Sequence, residues 1–310
     1  MQTWEFISKR QSCREYKNKE ISKTDRENFL EYSKIIEENY SSSIGLRWVE
    51  DGESFASNLG DAAGYQGKMI KAPHYMVILS KDDRESIATA GYIGEKIALK
   101  AFSYSIANCW ITVNKPKVVK ENLVGIRADK EPIAILALGY AKTENFIQKF
   151  FGKAKVATAD YREDGYKNVD FQDREKDIDR SHTNDYIYSR KWNNVINPEE
   201  LEVLGYKKAF SMMKYAPSYE NKQPWRFIIL DDSVLVCIEK DEKEVNTALQ
   251  AGIMMNYIEM GMNRIGIEGK FLFEDLKEED YGVPNSFEII ATYKIAGAQW
   301  LKKIWYTSYQ

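Results

Sequence analysis

The chain has 310 residues, a formal net charge of −3 and a sequence pI near 5.7. Its 44% hydrophobic and 29% charged residues are typical of a globular protein rather than a disordered one. Nucleic-acid binders usually carry a basic excess, so this charge balance argues against that class of partner. The length suits two domains or one duplicated unit.

Cysteine usage and hydropathy indicate where the protein resides. The three cysteines, Cys13, Cys109 and Cys237, include no C-x-x-C pair. A sparse, odd count predicts a reducing compartment without a disulfide framework. The N-terminus lacks the pattern of a signal peptide, and no apolar stretch reaches the length of a membrane span. We therefore expect a cytoplasmic protein without a membrane role.

Histidine is rare, with only His74 and His182 in the chain. A Ser-His-Asp triad would have to use one of them, and neither an H-E-x-x-H motif nor a phosphate-binding P-loop occurs. His74 follows Ala72-Pro73 at the head of an apolar run, so we expect a strand-end residue rather than a base. The sequence predicts no metal site and a chemistry that a cofactor carries.

The first half of the chain predicts an α+β unit. Apolar spacing and capping residues place its elements in chain order: a helix over about 23–37 capped by Ser22, a strand over 74–80, a helix that starts at Ala90 and leads to Trp110, and a strand over 132–140.

The second half repeats this order. Its predicted elements are a helix over about 198–214 capped by Asn197, a strand over 234–239, a helix that starts at Ala251 and leads to Phe271, and a strand over 287–294. Both long helices begin Ala-Gly and align without a gap. We interpret the chain as two copies, 1–150 and 185–310. A charge-rich connecting segment, 151–184, joins them, with a helix predicted near 172–179.

The most informative segment is 216–227, which reads APSYENKQPWRF. Pro217 and Pro224 bracket a polar loop and stiffen both ends, because proline fixes φ and lacks a backbone donor. Ser218, Asn221 and Gln223 supply neutral hydrogen-bonding side chains. Such a loop suits a polar, uncharged heterocycle or a sugar-like chain.

This segment resembles the A-P-S-x-x-N-x-Q-P-W-x-F motif of the nitroreductase family, whose members are flavoproteins that bind FMN. In the first half, residues 10–16 (RQSCREY) are similar to the family's R-x-S-x-R-x-[FY] phosphate motif. If this piece is extended, Arg10, Ser12 and Arg14 point the same way, which suits one phosphate group. A solvated basic helix end is the alternative interpretation of these residues.

The two halves complement each other. The first lacks the polar loop, and the second has only a degraded arginine motif at 188–192 (YSRKW). Over nearly its whole length the chain resembles the fused tandem-repeat type of nitroreductase. The resemblance implies an α+β fold in which two copies form an intrachain pseudo-dimer, each with a mostly antiparallel central sheet flanked by helices. It also implies one composite FMN site and one vestigial site.

The resemblance assigns roles to particular residues. Arg10 and Ser12 would hold the phosphate, Arg14 would lie nearer the pyrimidine edge, and Pro217, Ser218, Asn221 and Gln223 would close the pocket. Lys153 is a weaker candidate for phosphate charge, with a solvated lysine as the alternative. After Cys109-Trp110 the family usually has small residues whose backbone amide faces the flavin N5. This chain has Ile111 and Thr112 there, which narrows access to the ring.

The implied activity is a ping-pong flavoenzyme without a catalytic side chain. NADH or NADPH would reduce FMN, and a small-molecule acceptor such as a nitroaromatic or quinone would take the electrons. We expect a monomer, with a dimer left open, and neither nucleic acid nor membrane as a partner. Two alternatives remain: an FMN-binding protein that turns over slowly or not at all, and a flavin-free relic in which Arg10, Arg14, Asn221 and Gln223 are scattered.

Overall fold

The computed structural model describes residues 7, 10–64, 68–142, 186–240 and 247–297. These residues form two compact units. The first unit comprises 10–64, 68–90 and 96–142, and the second comprises 7, 91–95, 186–240 and 247–297. Most of the connecting segment expected at 151–184, including the helix expected near 172–179, lies outside the described residues. The division at 1–150 and 185–310 stays a prediction.

The first sheet has four strands, all antiparallel, in the order β1-β2-β4-β3. All seven residues of β2 are buried, as expected for a central strand. The elements in chain order are α1 Lys23–Tyr40, β1 Ile44–Val49, α2 Gly52–Leu59, β2 His74–Ser80, α3 Arg84–Ser103, β3 Ala107–Thr112, α4 Pro116–Glu121 and β4 Glu131–Gly139. In the middle of α3, Gly91–Glu95 belongs to the second unit.

Capping residues explain where the first helices begin. The Ser22 side chain accepts a hydrogen bond from the Asp25 amide, which confirms the predicted start of α1. Asp51 caps α2 in the same way by accepting from the Ser54 amide. The sequence analysis missed α2, because an eight-residue helix offers little periodicity.

The second sheet has five strands in the order β5-β6-β7-β9-β8. β5 and β6 are parallel, and the other pairs are antiparallel. The elements in chain order are β5 Ile187–Ser189, α5 Pro198–Val203, α6 Lys207–Phe210, β6 Trp225–Ile229, β7 Ser233–Glu239, α7 Thr247–Arg264, β8 Gly269–Leu272 and β9 Phe287–Ile295, with 3₁₀ turns at Met213–Tyr215, Tyr219–Asn221 and Glu278–Tyr281.

The helix expected over 198–214 is interrupted. Asn197 and Glu200 form a capping box at its start, so the predicted beginning is confirmed. The predicted end is wrong, because α5 stops at Val203 and Gly205 adopts a left-handed φ of 75°. A left-handed glycine just after a helix is a common terminator, and α6 begins two residues later.

The two sheets share one strand order. When β1 to β4 are matched in chain order with β6 to β9, the spatial order β1-β2-β4-β3 of the first sheet corresponds to β6-β7-β9-β8 in the second. The long helix in each case, α3 or α7, connects the second strand of the series to the third. Each unit therefore has α+β architecture around a mostly antiparallel sheet, as predicted. Among the helices of the described residues, none combines the length and the apolar character needed to cross a membrane.

Candidate functional site

The predicted arginine motif lies beside β3. The Cys13 amide donates to the Asn108 carbonyl at 2.9 Å, which ties the motif to the outer edge of the sheet. Arg10 Nη2 donates to Asn108 Oδ1 at 3.3 Å, and Asn108 Nδ2 donates to the Ala98 carbonyl at 2.8 Å. Asn108 is buried. One buried amide therefore positions the Arg10 guanidinium against the end of α3.

All three motif residues influence the pKa of the Cys109 thiol. Burial raises the pKa of Cys109, while the positive charges of Arg14 and Arg10 and a side-chain hydrogen bond with Ser12 lower it. Arg10, Ser12 and Arg14 therefore lie near one thiol of the first unit, whereas Asn221 and Gln223 belong to the second unit. The exposure of the two arginines differs, however, because Arg10 is 7% exposed whereas Arg14 is exposed to solvent. Arg14 is the arginine that faces an open space.

Arg14 lines a cleft of about 530 Å³, here called the basic cleft, in the first unit. Its lining comprises Arg14, Glu15, Tyr16, Lys68, Met69, Ile70, Lys71 and Lys142. Four of these side chains are cationic and one is a carboxylate, so the donor set suits an anionic ligand. Sequence reasoning did not assign the three lysines to the site. The only signal was that Lys68 and Lys71 immediately precede the strand entry at Ala72-Pro73.

Two buried tyrosines fix the walls of the basic cleft. Tyr16 OH donates to the Cys13 carbonyl at 2.8 Å, and burial raises the pKa of the Tyr16 hydroxyl well above the ordinary value. Tyr75 OH donates to the Ile70 carbonyl at 2.7 Å and accepts from the Ala72 amide at 3.0 Å. The apolar side of the cleft is therefore held by hydrogen bonds to backbone rather than left to loop motion.

Ile111 and Thr112 lie on β3, opposite Ile135 and Ala134 of β4. The Thr112 carbonyl accepts from the Gly64 amide at 2.9 Å, so Thr112 directs its backbone to the outer edge of the sheet. Because neighbouring residues of a strand alternate, Ile111 directs its backbone toward β4. The Ile111 side chain packs with Cys109 and Ile135 and so fills part of the hydrophobic core of the first unit.

The polar loop lies in the second unit, before β6. The Gln223 amide donates to Ser218 Oγ at 3.0 Å, and the Tyr219 amide donates to Gln250 Oε1 at 2.9 Å. Gln223 Nε2 donates to the Asn221 carbonyl at 3.3 Å. Pro217 precedes these bonds in the chain. The loop is thus closed on itself and anchored to α7 through Gln250, which is buried.

Backbone strain is concentrated in the same loop. Glu220, Asn221 and Gln223 have φ values of 50°, 58° and 50°, in the left-handed region that residues other than glycine rarely adopt. Such conformations cost about 1–3 kcal/mol each and are typical of ligand-binding loops. Two of these three residues, Asn221 and Gln223, are ones the sequence analysis singled out.

The degraded arginine motif of the second half makes structural contacts. Arg190 Nη2 donates to Asp231 Oδ1 at 2.6 Å, and the Trp192 ring packs against Tyr188 and Phe287. Lys153 lies outside the described residues.

Comparison with known proteins identifies the family of the chain. The sequence model of the family described as "Putative TM nitroreductase" matches residues 2–268. The chain belongs to this family. Among curated proteins none matches the chain.

One solved structure supports the same fold, and two others align less well. A structure of a putative nitroreductase from Thermotoga maritima aligns with a TM-score of 0.52 and 16% identity, over 95% of this chain and 93% of that chain. This likeness shows a nitroreductase-like fold. An FMN-dependent nitroreductase from Clostridium difficile aligns at 21% identity and a TM-score of 0.38, over 50% of this chain and 98% of its own. A nitroreductase family protein from Clostridium novyi aligns at 16% identity and a TM-score of 0.39, over 48% and 92%.

Proposed function

We propose that this protein is an FMN-dependent NAD(P)H oxidoreductase of the nitroreductase type, without a catalytic side chain. The observation that carries the proposal is the basic cleft, in which Arg14 of the predicted phosphate motif lines a space together with three lysines. Membership of the nitroreductase family makes FMN the expected anionic ligand.

The residues of the first unit fit an FMN. A phosphate monoester and an electron-rich pyrimidine edge both favour cationic donors, and the basic cleft supplies four against one carboxylate. Arg10 and Ser12, held around Cys109, are the proposed phosphate donors. Arg14 and Lys68 are the proposed source of positive charge beside the pyrimidine ring, where charge stabilises a reduced flavin.

The residues of the second unit fit the uncharged parts of the same cofactor. The strained, self-bonded loop presents Ser218, Asn221 and Gln223 in a fixed conformation. A loop ordered before binding loses less entropy when it takes up a ligand. We propose that Pro217 and these three side chains contact one FMN per chain, because each motif occurs intact in only one half.

When bound, FMN supplies the chemistry by accepting a hydride from NADH or NADPH and passing the electrons to a nitroaromatic or quinone-like acceptor in a ping-pong sequence. The residues of the chain bind and orient the cofactor and supply positive charge beside it. The proposed backbone donors near the reacting edge are Ile111 and Thr112. Of the two, Thr112 has the outward-facing backbone and is the better candidate.

We also propose that the two units are copies of one ancestral unit that replace the two subunits of a dimer. The shared strand order, with α3 and α7 in the same place, supports this. A monomeric chain is the expected consequence, since the internal copy takes the place of a partner. The cytoplasmic address stays a prediction.

Flavin fluorescence measures the affinity of the protein for FMN and so tests the proposal. FMN is titrated with wild type, Arg14→Ala and Asn221→Ala, with Arg127→Ala and Lys207→Ala as controls. The two control residues are exposed and pair with Asp129 and Glu202. We expect Arg14→Ala and Asn221→Ala each to weaken binding at least about tenfold, or about 1.4 kcal/mol, and the controls to bind like wild type. Wild-type protein that does not bind FMN would contradict the proposal.

A further inference from the structure

The cluster of Glu20, Glu50 and His74 lies in the first unit and takes no part in the proposed flavin chemistry. One ligand atom from each residue lies within 4.8 Å of the other two. Glu20 precedes the cap of α1, Glu50 follows β1, and His74 begins β2. His74 has 0% exposure, whereas the Glu20 and Glu50 side chains are 71% and 57% exposed.

The tautomer of His74 follows from its partners. Nδ1 lies 2.8 Å from the Glu50 backbone carbonyl, which only accepts hydrogen bonds, so Nδ1 carries a proton. The ring also stacks on Trp48, with centroids 4.9 Å apart. A histidine oriented by a carbonyl at Nδ1 is the usual arrangement of a metal ligand, because it fixes the ring and makes Nε2 more basic.

The other nitrogen of His74 faces a second acceptor. Nε2 lies 2.8 Å from Glu20 Oε2. The Ile21 amide also donates a long hydrogen bond of 3.4 Å to Nε2, which does not neutralise the carboxylate beside it. A lone pair and a carboxylate oxygen at this distance repel each other unless a cation lies between them. That cation is either a proton shared by the two groups or a metal ion that holds them farther apart.

We propose that Nε2 of His74 and the carboxylates of Glu20 and Glu50 bind one divalent transition-metal ion, with Zn²⁺ as the best match. An imidazole nitrogen with carboxylate oxygens selects zinc-like ions over Mg²⁺ and Ca²⁺, which prefer all-oxygen sites. Ligands about 2.0–2.2 Å from zinc lie roughly 3.5 Å apart. Glu20 Oε2, now 2.8 Å from Nε2, must therefore move outward, and the more distant ligand pairs must draw in from at most 4.8 Å. The ion would join three segments that are distant in sequence.

Arg26 competes with the metal for Glu50. Its guanidinium pairs with Glu50 Oε1, and Trp48 Nε1 donates to Glu50 Oε2 at 2.5 Å. Removing the arginine charge leaves the carboxylate more available to a cation. The proposal therefore predicts that Arg26→Gln binds zinc more tightly than wild type, which a site elsewhere would not show.

The three cysteines are poor competitors for zinc. Cys13, Cys109 and Cys237 are all buried. Burial also raises the pKa of each thiol, which opposes the thiolate that zinc requires.

The test is calorimetric titration of the chelator-treated full-length chain with Zn²⁺, and with Mg²⁺ in parallel, at neutral pH. Variants are Glu20→Gln, Glu50→Gln and Arg26→Gln, and the control is Glu53→Gln, an exposed carboxylate in the first turn of α2. Cobalt substitution gives a second readout, since the visible spectrum of Co²⁺ reports its ligands.

We expect one Zn²⁺ per wild-type chain, affinity lowered at least tenfold in Glu20→Gln and in Glu50→Gln, raised in Arg26→Gln and unchanged in Glu53→Gln. Mg²⁺ should not compete. Absence of saturable zinc binding in the wild type, or equal binding in wild type and Glu20→Gln, would overturn the proposal and leave a proton as the bridging cation. Glu20→Gln is the decisive variant because its exposed side chain is replaced without disturbing the core.

Discussion

Tyr257 donates a hydrogen bond of 2.8 Å to the carboxylate of Glu95, across 162 residues of the chain. Both side chains are fully buried. Tyr257 lies on α7 and Glu95 in the middle of α3, and nearby Tyr92 donates to Glu259 at 2.7 Å. The middle of a helix from the first half of the sequence is thus built into the second unit. Sequence halves and compact units do not coincide at this point.

Tyr257→Phe tests the importance of this bond. The substitution removes one donor from a buried carboxylate, so we expect the free energy of unfolding to fall by about 1–3 kcal/mol. Urea denaturation measures the change. Tyr281→Phe is the matched control, because the Tyr281 hydroxyl makes no hydrogen bond within the described part of the chain. Equal effects in the two variants would show that the Glu95 contact does not stabilise the fold.

Gly91 allows the same part of α3 to approach α7 closely. A Cβ at this position would lie 2.0 Å from the Leu249 carbonyl oxygen, closer than any real contact. We expect Gly91→Ala to lower the free energy of unfolding by about 3 kcal/mol, because the backbone must shift.

Gly60→Ala is the control that separates the cost of this clash from the backbone cost of replacing a glycine. Gly60 has a φ of 54° and a ψ of −116°, and a Cβ at this position would meet nothing within 4 Å, so only the backbone cost of this rare conformation applies, about 1–3 kcal/mol. Thermal and urea unfolding of both variants give the comparison. A Gly91→Ala protein as stable as wild type would contradict the close approach.

Alkaline pH should destabilise the protein through its buried thiols. Burial raises the pKa of Cys237 from 9.0 to about 12. Below pH 9.0 the thiol is neutral in both states, and its contribution to stability is fully present. Between these two pKa values the unfolded chain loses the proton that the folded chain keeps, so stability falls as pH rises, by about 1.4 kcal/mol per pH unit for this group.

Cys237→Ala isolates that effect. The variant loses some packing at every pH, but we expect its stability to fall less steeply than that of wild type above pH 9.0. Urea unfolding over a series of alkaline pH values measures the two slopes. Parallel slopes would mean that the Cys237 thiol ionises as readily in the folded chain as in the unfolded one.

Asn256 is a buried amide that the fold does not satisfy. It is 1% exposed on α7, and neither Nδ2 nor Oδ1 has a hydrogen-bond partner among the described residues. Replacing an unsatisfied polar group by an apolar one of similar size removes a desolvation cost, so we expect Asn256→Leu to stabilise the protein by about 1 kcal/mol. Asn263→Leu, exposed on the same helix, should change stability little. Destabilisation by Asn256→Leu would indicate an unrecognised partner for the amide.

The elements of regular structure were predictable where local signals agreed. Ser22 and Asn197 marked helix starts correctly, and the strand that begins at His74 followed from an unbroken apolar run. The break at Gly205 was missed, because a helical apolar spacing continues past a glycine whose left-handed conformation only the structure shows.

The candidate sites were predictable only in part. The arginine motif and the polar loop are continuous in sequence, so their spacing is visible. Lys142 reaches the basic cleft from the end of β4, and no local pattern connects it to Arg14. Glu20, Glu50 and His74 are likewise spaced without any metal motif. Pairing of β1 with β2 brings Glu50 beside His74, and the segment before α1 brings Glu20 to them.

The proposed function requires that this chain binds FMN and uses it to oxidise NADH or NADPH. The most direct test is the visible absorbance of the FMN-loaded, dialysed protein under anaerobic conditions, before and after addition of NADH or NADPH. We predict a retained flavin band equivalent to one FMN per chain, which bleaches with the nucleotide and returns when a nitroaromatic or a quinone is added. Two FMN per chain would contradict the single composite site, and protein that retains no flavin would contradict the proposed activity.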